Sequence, residues 1–135
     1  MKARFLLLFV TVFGFAQNHS HSGVNPIKFP NIDGYLTLST DLHIHSVFSD
    51  GNVWPTIRVQ EALMDNLDAI ALTEHLEYQP HLSDIPHPDR NRAYELALEE
   101  AKDHDLLIIP GSEITRSAPV GHNNALFLAD SNPQI

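Results

Sequence analysis

From Tyr35 onward apolar and polar positions alternate, with Tyr35, Leu36, Leu38, Leu42 and Ile44 separated by polar residues. That spacing predicts a strand ending near His45. Ser46 to Val53 breaks the alternation and reads as a loop carrying Ser49-Asp50-Gly51. Pro55 suits the first position of a helix, and Val59, Ala62, Leu63 and Leu67 fall on one helical face. Asn66 tolerates left-handed backbone and should end that helix. Ala69-Ile70-Ala71-Leu72 is a continuous apolar run of the kind found in a strand covered on both faces. Pro80, Pro86 and Pro88 keep the stretch from Glu77 to Asp89 out of regular structure. Asp89 can cap a second helix running to about His104, with Ala93, Tyr94, Ala97, Leu98 and Ala101 facing inward. Leu106 to Ile109 reads as a third buried strand ended by Pro110-Gly111, and Asn124 to Ala129 as a fourth. Strand, helix, strand, helix, strand predicts right-handed βαβ units and an α/β fold with a parallel sheet.

Ahead of this region the pattern is different. Met1 to Arg4 carries two positive charges, Phe5 to Phe15 is almost wholly apolar, and Gly14 and Ala16 supply small residues at a cleavage site. Residues 1–16 therefore read as a signal peptide. Its apolar run of about eleven residues spans roughly 16 Å as a helix, short of the ~30 Å of a hydrocarbon core. The expected destination is the periplasm or the medium, with no membrane attachment after cleavage. Residues 17–34 read as a leader or linker in which His19 and His21 are solvated side chains, and residues 35–135 as the folded domain.

Composition narrows the chemistry. The chain has 43 % hydrophobic and 19 % charged residues, which is globular. Its 17 acids against 8 bases, with no basic cluster, argue against a nucleic-acid partner. The absence of cysteine excludes disulfide scaffolds, thiolate nucleophiles and zinc fingers. Nine histidines in 135 residues point to metal.

Parallel sheets collect functional groups at the carboxyl ends of their strands, and the metal-binding residue types fall there. The first expected strand ends in Asp41-Leu42-His43-Ile44-His45, where a period of two sends Asp41, His43 and His45 to one face. Asp50 follows on the adjoining loop. The second strand ends in Thr73-Glu74-His75 and the third in Gly111-Ser112-Glu113, and the next loop supplies Gly121-His122. Histidine and carboxylate without thiolate is a ligand set for catalytic zinc, manganese or iron. Glu113 is the natural bridge between ions, and Asp41 could hold the imino proton of a ligating histidine.

At these residues the sequence resembles the polymerase and histidinol phosphatase (PHP) domain family. The motifs stand here as Asp41-Leu42-His43-Ile44-His45-Ser46 with Ser49-Asp50-Gly51, as Thr73-Glu74-His75, as Gly111-Ser112-Glu113-Ile114 and as Gly121-His122-Asn123-Asn124. The resemblance runs from about Thr40 to Asp130. It implies the N-terminal part of a distorted (βα)7-type barrel, a cluster of up to three divalent ions, and phosphoester hydrolysis by a metal-bound hydroxide. It further implies that His43 and His45 bind one metal and Asp50 and His75 a second, that Glu113 bridges, and that His122 belongs to a third. Asp50 and Glu113 are then the residues on which catalysis turns. Glu74 stands where the family often has Asp, and it is not among the implied ligands. PHP domains continue through further strands with more histidines, so the sequence is expected to be a fragment of a longer protein; a half-barrel that dimerises is the alternative.

Plainer readings apply to the remaining polar residues. His104 fits the end of a helix, where it meets the dipole. His81 and His87 lie on the Pro-rich loop at the rim where a substrate would arrive, and Arg116 either meets a phosphate or pairs with an acid. The functional expectation is an exported metal-dependent phosphatase or phosphodiesterase acting on a small-molecule phosphoester. The alternative is a non-catalytic metal-binding or interaction module with an incomplete site.

Overall fold

The structure is a computed structural model and describes residues 29–132. The expected signal peptide, His19, His21 and most of the expected linker lie outside the described residues. Six elements follow in order: β1 (Thr40–Ile44), α1 (Pro55–Met64), β2 (Ala69–Leu72), α2 (Arg92–Ala101), β3 (Leu107–Ile114) and β4 (Asn123–Leu126). The sheet order is β1-β2-β3-β4, and β1 with β2 and β2 with β3 are parallel. The chain is an α/β fold in which parallel strands alternate with helices and the sheet curls into a half-barrel.

The two faces of the sheet are filled differently. Ile70, Leu72 and Ile108 meet Val59 and Ala62 of α1 and Ala93, Ala97 and Ala101 of α2, and Phe48 joins them from the loop after β1. Alternate residues Ala69, Ala71 and Ile109 form the concave face with Leu42 and Leu126. The continuous apolar run of β2 is thus buried on both sides, as its sequence predicts.

α1 begins with Pro55 as expected, and Asn66 adopts φ 55° just past its end. Leu67 N–H then donates back to the Ala62 carbonyl at 3.0 Å, closing the helix as a left-handed cap does. α2 is shorter than predicted. Asp89 Oδ1 accepts from the Asn91 N–H at 3.0 Å and forms a turn before the helix, so helical backbone starts at Arg92 and stops at Ala101. His104 lies beyond it, closing one turn onto the Ala101 carbonyl.

Three expectations about strands are corrected. β1 starts at Thr40 rather than Tyr35; Tyr35, Leu36 and Leu38 are exposed, and Tyr35 pairs only with Ile32 across a tight turn. β3 does not stop at Pro110-Gly111 but runs on to Ile114. Leu107 to Pro110 pair with β2, and Gly111 to Ile114 pair with β4. Pro110 sits where the strand exchanges partners, a place where a missing N–H costs little. β4 runs antiparallel to β3 and ends at Leu126 rather than Ala129, because the connection from Thr115 to His122 holds no crossover helix that could return it parallel.

Candidate metal centre

β1 pairs with β2 up to Asp41, and its register shifts before Ile44. Strict alternation therefore fails in the strand that carries the histidine pair: Leu42 packs on the concave face and Ile44 against the helices. The irregularity aims His43 and His45 at one point. Their Nε2 atoms lie 3.0 Å apart, and each is 3.0 Å from Oε2 of Glu113.

Glu113 reaches that point because β3 outlasts its predicted end. Its N–H donates to Glu74 O at 2.9 Å, and its carbonyl accepts from Leu76 N–H at 3.0 Å, which pairs it with His75. The residue is 1 % exposed. On its other side His122 Nδ1 lies 2.5 Å from Oε1, yet not in hydrogen-bonding geometry, so that buried oxygen has no donor. His75 stacks on His45 with ring centroids 4.5 Å apart, and its Nδ1 lies 2.5 Å from Thr115 Oγ1. His75 Nε2 faces Asp50 Oδ2 at 3.5 Å.

Three overlapping groups could each hold an ion: His43, His45 and Glu113; His45, Asp50 and His75; and His75, Glu113 and His122. The donor set fits. Adjacent ligands on an ion with bonds of about 2.1 Å sit about 3.0–3.4 Å apart, and the His43, His45 and Glu113 atoms already have such a spacing. A cation would also satisfy the orphaned Glu113 oxygen. Burial, together with the facing His75, holds the His45 imidazole below its ordinary value against the pull of nearby carboxylates. Burial pushes the Glu113 carboxyl up, but the His43 hydrogen bond and the surrounding imidazoles outweigh it and hold it below the usual range. Both shifts favour the deprotonated forms that coordination needs.

The loop after β1 is shaped by close approach. A Cβ on Gly51 would lie 2.6 Å from His45 O and 2.8 Å from Ser46 Cα, both backbone atoms. Gly51 N–H donates to Ser46 O at 2.9 Å, folding Asp50 over the end of β1.

All six expected ligands converge, but the other expected contacts do not all follow. Asp41 is exposed, and its Oδ1 accepts from the His43 backbone N–H at 3.1 Å; among the described residues it makes no hydrogen bond to an imidazole. Arg116 pairs with Glu77 and donates to Thr115 O, so the acid-pairing alternative is the one realised. His87 is not on the rim: it is 5 % exposed, its Nδ1 donates to Ile85 O at 2.6 Å, and its ring meets Phe48 edge-on. His81 is half-buried at the start of the Leu82–Ile85 turn, where its carbonyl accepts from Asp84 and Ile85 N–H. Two participants were missed. Thr115 meets His75, and Glu74, seven residues before the Pro-rich loop's His81, turns inward onto Ser46 and Ser49.

Comparison with known proteins places the chain in a family. The family model of the PHP domain matches residues 41–134. An uncharacterised protein of Methanocaldococcus jannaschii is 33 % identical over 81 residues, which cover 58 % of this chain and 34 % of that one. Among solved structures, a two-domain protein from Bacteroides vulgatus that contains a predicted PHP-like metal-dependent phosphoesterase is 58 % identical. It superposes with a TM-score of 0.77 over 81 % of this chain and 32 % of its own. The chain spans about a third of the length of both relatives.

Proposed function

The chain belongs to the PHP domain family, and from that premise we propose that it takes part in metal-dependent hydrolysis of a small-molecule phosphoester, as a phosphatase or phosphodiesterase. The observation that carries this reading is Glu113: a buried carboxylate with two imidazole nitrogens on one oxygen and a third imidazole on the other. His45 and His75 each appear in two of the three groups, but one imidazole nitrogen serves one ion. Only a carboxylate, with two oxygens, serves two. The economical assignment gives His43, His45 and Glu113 Oε2 to one ion, Asp50 and His75 Nε2 to a second, and Glu113 Oε1 with His122 to a third. These residues would hold divalent zinc, manganese or iron, which would supply activation of water at neutral pH and neutralisation of phosphoryl charge. Glu113 fixes the spacing of the cluster, and Asp50, at the exposed rim, holds the side facing incoming substrate.

That assignment leaves each ion only two or three of the protein groups that could hold it, which favours a second reading, a metal-holding module without turnover. One experiment separates them. The purified chain is loaded with zinc, manganese or iron, assayed for metal by elemental analysis, and tested on bis(p-nitrophenyl) phosphate and p-nitrophenyl phosphate. Hydrolysis that falls together with bound metal in His45→Ala is the expected result. Bound metal without turnover selects the module, and well-folded protein that takes up no metal overturns both. Export through residues 1–16 belongs to the same proposal: protein recovered from the periplasm or medium should begin at Gln17 by mass.

A further inference from the structure

Glu74 is the buried carboxylate that the metal cluster does not use. It is 7 % exposed, and everything it touches donates to it. The Ser46 backbone N–H reaches Oε1 at 3.0 Å and Oε2 at 3.1 Å, the Ser46 hydroxyl donates to Oε1, and the Ser49 hydroxyl donates to Oε2 at 2.5 Å. Ser46 and Ser49 are both fully buried, so no water competes for these protons. A hydroxyl has one proton. Ser46 gives its proton to Glu74 and accepts the Phe48 N–H at 3.3 Å with a lone pair. Ser49 likewise gives its proton to Glu74, and its Oγ then faces His45 Nδ1 at 3.1 Å with lone pairs alone. Only a protonated Nδ1 can complete that bond. The nearest alternative acceptor, Asp50 Oδ1, is 3.6 Å from Nδ1.

We infer that Glu74 is a positioning residue: acting through Ser49, it fixes His45 in the tautomer with hydrogen on Nδ1, leaving the Nε2 lone pair aimed at Glu113 and His43. The chain of protons runs one way, from His45 to Ser49 to Glu74, and each link has a single allowed polarity. Its consequence for metal binding rests on the reading of the site proposed above; the tautomer itself does not. A ligating histidine whose other nitrogen is held by an outer partner keeps both its orientation and its proton distribution, and loss of such a partner weakens metal affinity by about 10–100-fold.

The test uses the full chain labelled with 15N-histidine, first free of metal at pH 8, where imidazole is neutral, and then loaded with zinc. Long-range 15N–1H correlation spectra of the metal-free wild type should show His45 protonated on Nδ1. In Ser49→Ala the preference should be lost, and zinc affinity, measured by competition with a chelator, should drop by about 10–100-fold. Glu74→Gln should shift the His45 tautomer as well, because its amide can drive the Ser49 proton toward His45. Circular dichroism confirms that each variant is folded, and if Glu74→Gln does not fold, Ser49→Ala alone decides. A metal-free wild type with hydrogen on Nε2, or a folded Ser49→Ala with an unchanged tautomer, overturns the inference. Failure of the wild type to bind zinc defeats the metal reading while leaving the tautomer result to stand.

Discussion

Glu113 is approached from two sides, and the two sides are built differently. His45 is four-fifths buried, bonded to Ser49, stacked on His75, and backed by a loop that only glycine at position 51 allows. His122 is more than half exposed, follows Gly121 at φ 71°, and among the described residues its imidazole makes no hydrogen bond. The first imidazole is held in place by the fold itself. The second sits on a connection with exposed residues from Arg116 to Val120, and an ion bound there would have to supply what the fold omits. An ordering cost that the fold has met for His45 is left to binding at His122.

The largest effect should come from the group that both sides share. Glu113→Gln keeps the shape but removes the charge and one acceptor oxygen, so zinc affinity should fall by at least about 100-fold, the upper end of what loss of a supporting group produces. Burial notwithstanding, the surrounding imidazoles hold the Glu113 carboxyl below its usual range, so its charge stabilises the metal-free fold, and the denaturation midpoint of the metal-free variant should fall at neutral pH. Retention of wild-type zinc affinity in this variant would remove Glu113 from the centre of the site.

Gly51→Ala breaks the built side alone. The added Cβ meets backbone atoms that have no freedom to turn away, and overpacking of this kind costs about 1–3 kcal/mol. Urea denaturation of the metal-free protein should register that loss, and metal uptake should weaken as the loop moves Asp50 and His45. His122→Ala breaks the loose side. Its ring meets only His75 edge-on and Glu113 without a hydrogen bond, so its metal-free stability should stay within about 1 kcal/mol of wild type. One equivalent of bound metal should vanish while the His43–His45 ion remains. Loss of all metal from His122→Ala would erase the contrast between the sides.

What the sequence disclosed divides along the same line. Helix α1 was legible at both ends because Pro55 and Asn66 state their backbone angles locally. β2 was legible because four consecutive apolar residues admit few environments. His43, His45, His75 and Glu113 were legible as candidates because parallel strands deliver their ends to one rim, and Asp50 and His122 because they lie on the loops that adjoin it. The continuation of β3 was not, since Pro110-Gly111 signals a stop unless one knows that the strand changes neighbours there. Nor was the direction of β4, which depends on what is missing between Thr115 and His122. Glu74 was opaque for a related reason: its partners lie 25 and 28 residues earlier in sequence, and only the pairing of β1 with β2 brings them together.

Asp41 gives the smallest expected effect and the sharpest use of the comparison. From its place two residues before His43 it was expected to hold an imidazole proton, which would make its charge matter to metal affinity. In the fold it instead accepts the His43 backbone N–H at 3.1 Å from an exposed position. Asparagine offers the same acceptor oxygen without the charge. Asp41→Asn should therefore leave zinc affinity within about threefold and stability within about 0.5 kcal/mol of wild type. Asp41→Ala removes the acceptor and should cost about 0.5–1.5 kcal/mol, the worth of one such hydrogen bond. If Asp41→Asn instead lowered zinc affinity by tenfold or more in a chelator competition, the charge would be acting on a ligand. The built side would then extend back along β1 to Asp41, beyond the contacts around Ser49 and Gly51 that define it.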